Sequence, residues 1–167
     1  MESLVHGKTE IYLQLIEKAL NEQKSSILLV PEISLTPQTV NRFIARFGKD
    51  KIAVLHSKLS LGERYDQWHK INKGEAKIII GARSAIFAPV KDLGMIIIDE
   101  EHDGSYKSEM TPKYDAKEVA RYMCKSSNVP LVLGSATPSM DTYYKAKNEE
   151  IALLELTKRA NNSKLPT

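Results

Sequence analysis

The sequence predicts an α/β protein: a mostly parallel sheet with helices on both faces. Two observations carry that prediction. Met95-Ile-Ile-Ile-Asp-Glu-Glu-His102 runs apolar residues straight into carboxylates and a histidine, and Ile27-Leu-Leu-Val-Pro31, Lys51-Ile-Ala-Val-Leu55 and Lys77-Ile-Ile-Ile-Gly81 are similar short apolar runs. Continuous runs of this kind are strands buried on both faces rather than half-solvated ones. Between them lie segments with apolar residues at helical spacing, so strands and helices alternate.

The chain of 167 residues is long enough for one domain with a full core, and 1–167 reads as a single lobe. A formal charge of +3 permits contact with nucleic acid without demanding it. Cys124 is the only cysteine, which excludes an internal disulfide and a cysteine-rich zinc site. His6, His56, His69 and His102 lack metal-ligand spacing, so no zinc is expected. No apolar run approaches a membrane span, so the expected compartment is the cytoplasm, with no membrane partner.

In order, Leu4 and Val5 read as the end of a strand leading to Gly7-Lys8-Thr9, and Tyr12, Leu15, Ile16, Ala19 and Leu20 mark a helix after it. Strand, Gly-Lys-Thr, helix is the context of a phosphate-binding loop. Backbone N–H groups would cradle phosphate, Lys8 would reach the terminal oxygens and the Thr9 hydroxyl would ligate Mg²⁺. The full pattern G-x-x-x-x-G-K-[ST] is not met, because Glu2 stands where its first Gly belongs. An ordinary helix start is the other reading.

Thr36 caps a helix with Pro37 at its first position, Val40, Phe43, Ile44 and Phe47 facing inward, and Gly48 as its stop. Ser60 and Glu63 form a capping box for a helix expected to bury Leu61, Tyr65, Trp68 and Ile71. Ala116, Val119, Ala120 and Met123 mark another helix, beginning near Asp115. Val129-Pro-Leu-Val-Leu-Gly134 is a fifth strand; a helix with Met140, Tyr143 and Tyr144 and a strand over Ile151–Leu156 complete the pattern.

Working residues of open α/β sheets lie beyond the carboxyl ends of the strands. That rim holds Pro31 and Glu32, Arg83 and Ser84, Asp99 to His102, and Ser135-Ala-Thr137. The acidic group reads either as a solvated turn or as a Mg²⁺-holding, water-activating site. Arg83 and Ser84 could hold a nucleic-acid phosphate, or Arg83 could be a solvent-exposed cation. Tyr106 and Tyr114, in a polar loop, read equally as base-stacking groups or loop anchors.

The order of these motifs resembles the first RecA-like lobe of superfamily 2 helicases, which are P-loop NTPases. Leu29-Val-Pro-Glu-Ile-Ser-Leu-Thr-Pro-Gln38, Gly81-Ala-Arg-Ser-Ala-Ile-Phe-Ala-Pro89 and Asp99-Glu-Glu-His-Asp-Gly-Ser-Tyr106 narrow the resemblance to bacterial replication-restart helicases. The resemblance implies ATP and Mg²⁺ as cofactors. It implies that Gly7, Lys8 and Thr9 bind nucleotide, Thr9 and Asp99 hold Mg²⁺, and Glu100 activates the attacking water. His102 with Gly134, Ser135, Ala136 and Thr137 would couple hydrolysis to movement, and Pro31, Glu32, Arg83, Ser84, Tyr106 and Tyr114 would meet DNA.

The implied partners are single-stranded and forked DNA, a second helicase lobe and primosome proteins, at the bacterial nucleoid. The whole protein would move 3′ to 5′ on single-stranded DNA at abandoned forks. The chain lacks that family's N-terminal DNA-binding region, second lobe and zinc-binding insertion, so it reads as a fragment, inactive alone. Two alternatives remain: another superfamily 2 translocase of the RecG or repair type, opposed by Gly81–Pro89, and a DNA-binding or docking lobe without nucleotide chemistry, favoured by His6-Gly7 abutting Lys8-Thr9, where the family pattern has a short glycine-rich loop between them.

Overall fold

The computed structural model describes residues 2–135, with side chains from residue 7. The expectations for Ala136, Thr137, the helix with Met140, Tyr143 and Tyr144, and the strand at Ile151–Leu156 lie outside the described residues. Among the described residues the elements are α1 (Glu2–Asn21), β1 (Ser25–Leu29), α2 (Pro37–Phe47), β2 (Ile52–Leu55), α3 (Leu61–Asn72), β3 (Ile78–Gly81), β4 (Leu93–Ile98), α4 (Ala116–Ser127) and β5 (Leu131–Leu133). The strands form one five-stranded sheet in the order β2-β3-β1-β4-β5, every pairing parallel.

The apolar runs are explained by two-sided burial. Ile27 and Leu29 of β1 point into one core with Ile79, Ile96 and Ile98, under Ile71 of α3 and Ala116, Ala120 and Cys124 of α4. Leu28 and Val30 point the other way, with Ile78, Ile80 and Ile97, under Tyr12, Leu13 and Ile16 of α1 and Phe43 of α2. Alternation of side chains along each strand therefore feeds two cores, and no strand position is left for a polar face.

Helix ends follow local chemistry. The Thr39 amide donates to Thr36 Oγ1 at 3.2 Å, Pro37 occupies the first turn, and Gly48 ends α2 at φ 87°. Ser60 and Glu63 close their capping box at 3.2 and 2.9 Å. Asp115 caps α4 through the Lys117 amide, and Asn128 ends it in the left-handed region at φ 53°. β2 is an edge strand, and α3 covers that edge: the Val54 amide donates to Gln67 Oε1, while Lys70 Nζ donates to the carbonyl of Ile52. Covering such an edge removes a template for unwanted strand pairing.

Two expectations need correction. The residues before Gly7 are helical, not a strand, so Gly7-Lys8-Thr9 lies inside α1 rather than at its start. With no glycine-rich turn upstream and no proline, nothing in Ser3-Leu-Val-His-Gly7 breaks the helix. On α3 only Ile71 is fully buried; Leu61, Tyr65 and Trp68 are 85%, 67% and 37% exposed. Overhanging an edge strand, α3 turns Gln67, Lys70 and Ile71 toward the protein and leaves the aromatic stripe beside that contact uncovered by the described residues. Tyr106 lies in the rim loop after β4 with its side chain 0% exposed, which favours the loop-anchor reading.

Candidate functional site

β1 is flanked by β3 and β4, and the chain winds away from it in both directions, so the crevice at the carboxyl ends of these strands is the topological switch point. Asp99 leaves β4 there, its amide donating to the Leu29 carbonyl at 2.9 Å. Glu100 adopts φ 48°, a region that residues with a long side chain rarely enter. The sharp turn separates consecutive carboxylates: Glu100 faces the rim, while Glu101 turns inward to 1% exposure with Lys117 Nζ at 3.4 Å.

From the opposite face, α1 sends two side chains to the same point. Lys8 Nζ lies 3.0 Å from Glu100 Oε1 and 3.4 Å from Asp99 Oδ1. One turn later, the Tyr12 hydroxyl donates to Asp99 Oδ1 at 2.7 Å. Burial, followed by the Asp99 charge, pushes the Tyr12 phenol well above its ordinary range, so it stays a protonated donor.

The cluster continues into β5. His102 Nδ1 is 2.8 Å from Ser135 Oγ, and His102 Nε2 is 3.5 Å from Glu100 Oε2. The Glu101 amide donates to the Gly134 carbonyl and the Gly134 amide to the Ile98 carbonyl, at 3.1 and 2.9 Å. Gly134 is needed there, because a Cβ would run into the Tyr12 hydroxyl. One continuous set of contacts thus joins Lys8, Asp99, Glu100, His102 and Ser135. A cation, two carboxylates and an imidazole–hydroxyl pair at one rim can bind a phosphate, hold a divalent cation and orient a water.

The expected nucleic-acid residues divide differently. Ser84 and Glu32 are exposed, and Glu32 accepts from the Ser57 amide at 3.0 Å and from its hydroxyl. Those Ser57 bonds hold the Glu32 carboxyl below its usual range. Pro31 is buried. Arg83 donates from one guanidinium nitrogen to the carbonyls of Ser105 and Lys107, both at 3.0 Å, and its guanidinium lies 5.8 Å from the Tyr114 ring centre. Tyr114 is half-buried, edge-on to Phe87 with centroids 5.0 Å apart. Arg83 and Tyr114 therefore brace the loop rather than project from it. Tyr106 anchors the same loop: its hydroxyl donates to the carbonyls of Leu29 and Asp99.

Sequence reasoning missed Tyr12 and Lys117 as partners of the acidic cluster. Tyr12 had a signal: four residues beyond Lys8, it shares that residue's helix face. Lys117 had none, because its contact with Glu101 depends on how α4 docks.

A family model described as "DEAD/DEAH box helicase" matches residues 6–146. The chain belongs to the DEAD/DEAH box helicase family. Within it, the chain is 57% identical over 160 residues to the replication restart protein PriA of Bacillus subtilis, covering 96% of this chain and 20% of that protein. The Chlamydia muridarum protein of the same name is 52% identical over 162 residues, covering 96% of this chain and 21% of that one. The chain spans about a fifth of the length of these curated relatives. Among solved structures, the Pyrococcus furiosus Hef helicase domain superposes with a TM-score of 0.61 at 22% identity, over 89% of this chain and 32% of that one. That likeness establishes the RecA-like fold of the helicase lobe.

Proposed function

We propose that this chain is the ATP-binding lobe of a replication-restart DNA helicase, whose hydrolysis of ATP drives 3′ to 5′ movement on single-stranded DNA. The observation that carries the proposal is the contact path from Lys8 through Asp99 and Glu100 to His102 and Ser135. It connects a phosphate-binding cation to hydrolytic carboxylates and then to a second strand end. The high identity to PriA proteins supports the replication-restart assignment.

The side chains suit Mg²⁺ with a nucleoside triphosphate: hard carboxylate oxygen at Asp99 beside the ammonium of Lys8 is the pairing such a group takes. The bound nucleotide would supply the phosphoryl group and a cation that neutralises its charge. Lys8 would bind phosphate oxygens, Asp99 and the Thr9 hydroxyl would hold the metal, and Glu100 would accept the proton of a water. Tyr12 keeps Asp99 oriented. His102, with Gly134, Ser135, Ala136 and Thr137, senses the state of Glu100 and couples it to DNA, which Glu32 and Ser84 meet at the rim. A second lobe contributes an arginine worth roughly 10³-fold or more in rate, so the isolated lobe turns over slowly. Primosome proteins and forked DNA are the proposed partners, in the bacterial cytoplasm at the nucleoid.

Calorimetric titration with Mg-ATPγS tests this reading. Saturable binding that is lost in Lys8→Ala, with circular dichroism unchanged, is the expected result. A folded chain that takes up no nucleotide would refute it. One observation favours a second reading, a docking lobe without nucleotide chemistry: the amides of Gly7, Lys8 and Thr9 lie within the α1 ladder instead of at an open helix end.

A further inference from the structure

α3 carries the least expected surface of the described residues. Leu61, Tyr65 and Trp68, spaced four and three residues apart, form an exposed stripe on one helix face. Tyr65 is stacked on His69 with ring centroids 5.6 Å apart and planes 12° apart, so the aromatic surface is held flat. The stripe borders a hollow of about 450 Å³ whose walls include His56, Leu61, Arg64, Tyr65, Trp68 and Ser84. Among the described residues, no carboxylate lines this hollow. The helix's own acids lie elsewhere: Glu63 is engaged in the capping box, and helical spacing puts Asp66 on another face.

We propose that this hollow is a base-stacking subsite for single-stranded nucleic acid, separate from the phosphate-binding cluster at Asp99. Aromatic planes beside a cation are what a splayed-out base and its phosphate require, and such platforms tolerate any sequence because every base has a π-face. Two features favour a polyanion over an apolar partner. Ser84, in the turn that follows β3, makes the hollow continuous with the rim proposed above to meet DNA. His56 also borders a second hollow of about 570 Å³, whose lining sets Lys49, Lys58 and Lys70 against a single carboxylate, Glu32. Bases stack on Tyr65 and Trp68, Arg64 takes the adjoining phosphate, and the strand continues past His56 toward Lys58. The inference rests on the reading of this lobe as DNA-contacting and names where one stretch of the strand lies.

Trp68 is the only tryptophan in the chain, so its emission reports on this hollow alone. The experiment titrates the chain with oligo-dT, following Trp68 emission in parallel with the anisotropy of a fluorescein-labelled copy of the oligonucleotide. Saturable quenching that tracks anisotropy, with affinity at least about fivefold weaker in Tyr65→Ala, is the expected result. Rising anisotropy with unchanged emission, and unchanged affinity in Tyr65→Ala, would overturn this subsite while leaving the lobe's DNA contact intact. No anisotropy change at low salt would overturn both. Sedimentation of the chain without DNA provides the last arm: a dimer abolished by Tyr65→Ala would assign the stripe to a second copy and refute the nucleic-acid reading. Tyr65 is mostly exposed, so the variant retains the fold.

Discussion

Replacing Tyr106 separates a loop residue that reads DNA from one that holds the protein together. The side chain is fully buried, and its hydroxyl donates to two carbonyls at the strand ends, those of Leu29 and Asp99. Tyr106→Phe removes only the hydroxyl. The Leu29 carbonyl still accepts from the Asp99 amide, so the main loss falls on one buried acceptor, about 1–2 kcal/mol. Tyr106→Ala also empties the space of the ring and costs about 3–5 kcal/mol, a large part of the roughly 5–15 kcal/mol that stabilises a domain. With a urea dependence of about 2 kcal/mol per molar, the alanine variant should unfold roughly 2 M earlier and the phenylalanine variant about 0.5–1 M earlier. Urea unfolding followed by circular dichroism measures both, and anisotropy with oligo-dT measures binding by whatever fraction stays folded. An alanine variant as stable as the parent but weakened for DNA would refute this argument and restore Tyr106 as a stacking group.

Two further predictions follow from buried titratable groups. Tyr12 and Tyr106 both have pKa values raised first by burial and then by neighbouring carboxylates. Above the unfolded tyrosine pKa of about 10, the unfolded chain binds fewer protons than the native one, so stability present below that pH falls as pH rises. The fall should be shallower in Tyr12→Phe than in the parent; an identical slope in alkaline urea titrations would show that Tyr12 ionises normally. Burial likewise pushes the Cys124 thiol up to about 11, and its sulfur donates to the Pro130 carbonyl at 3.6 Å. Its reaction with a disulfide reagent at pH 8 should therefore proceed at the rate of unfolding and accelerate with urea; fast labelling of the folded chain would contradict the packing of α4.

Much of this protein is written locally. The runs Ile27–Val30, Ile78–Ile80 and Met95–Ile98 specify strands buried on both faces because each successive side chain must find a core. Thr36, Ser60, Gly48 and Asp115 end helices through bonds or backbone angles spanning a few residues. A run of apolar residues meeting Asp99, Glu100 and His102 puts those groups at the sheet rim whatever the strand order. Long-range packing settled the residues whose partners are far along the chain. Tyr106 and Trp68 are both aromatics in polar surroundings; one is buried because the ends of β1 and β4 close over it, the other left open because no described residue covers that side of α3. Arg83 became a brace when the carbonyls of Ser105 and Lys107 came within reach. Tyr12 joined Asp99 only because α1 packs across β1 and β4. Periodicity determines which face of an element is apolar; the neighbour that occupies that face is selected by long-range packing, which no local spacing encodes.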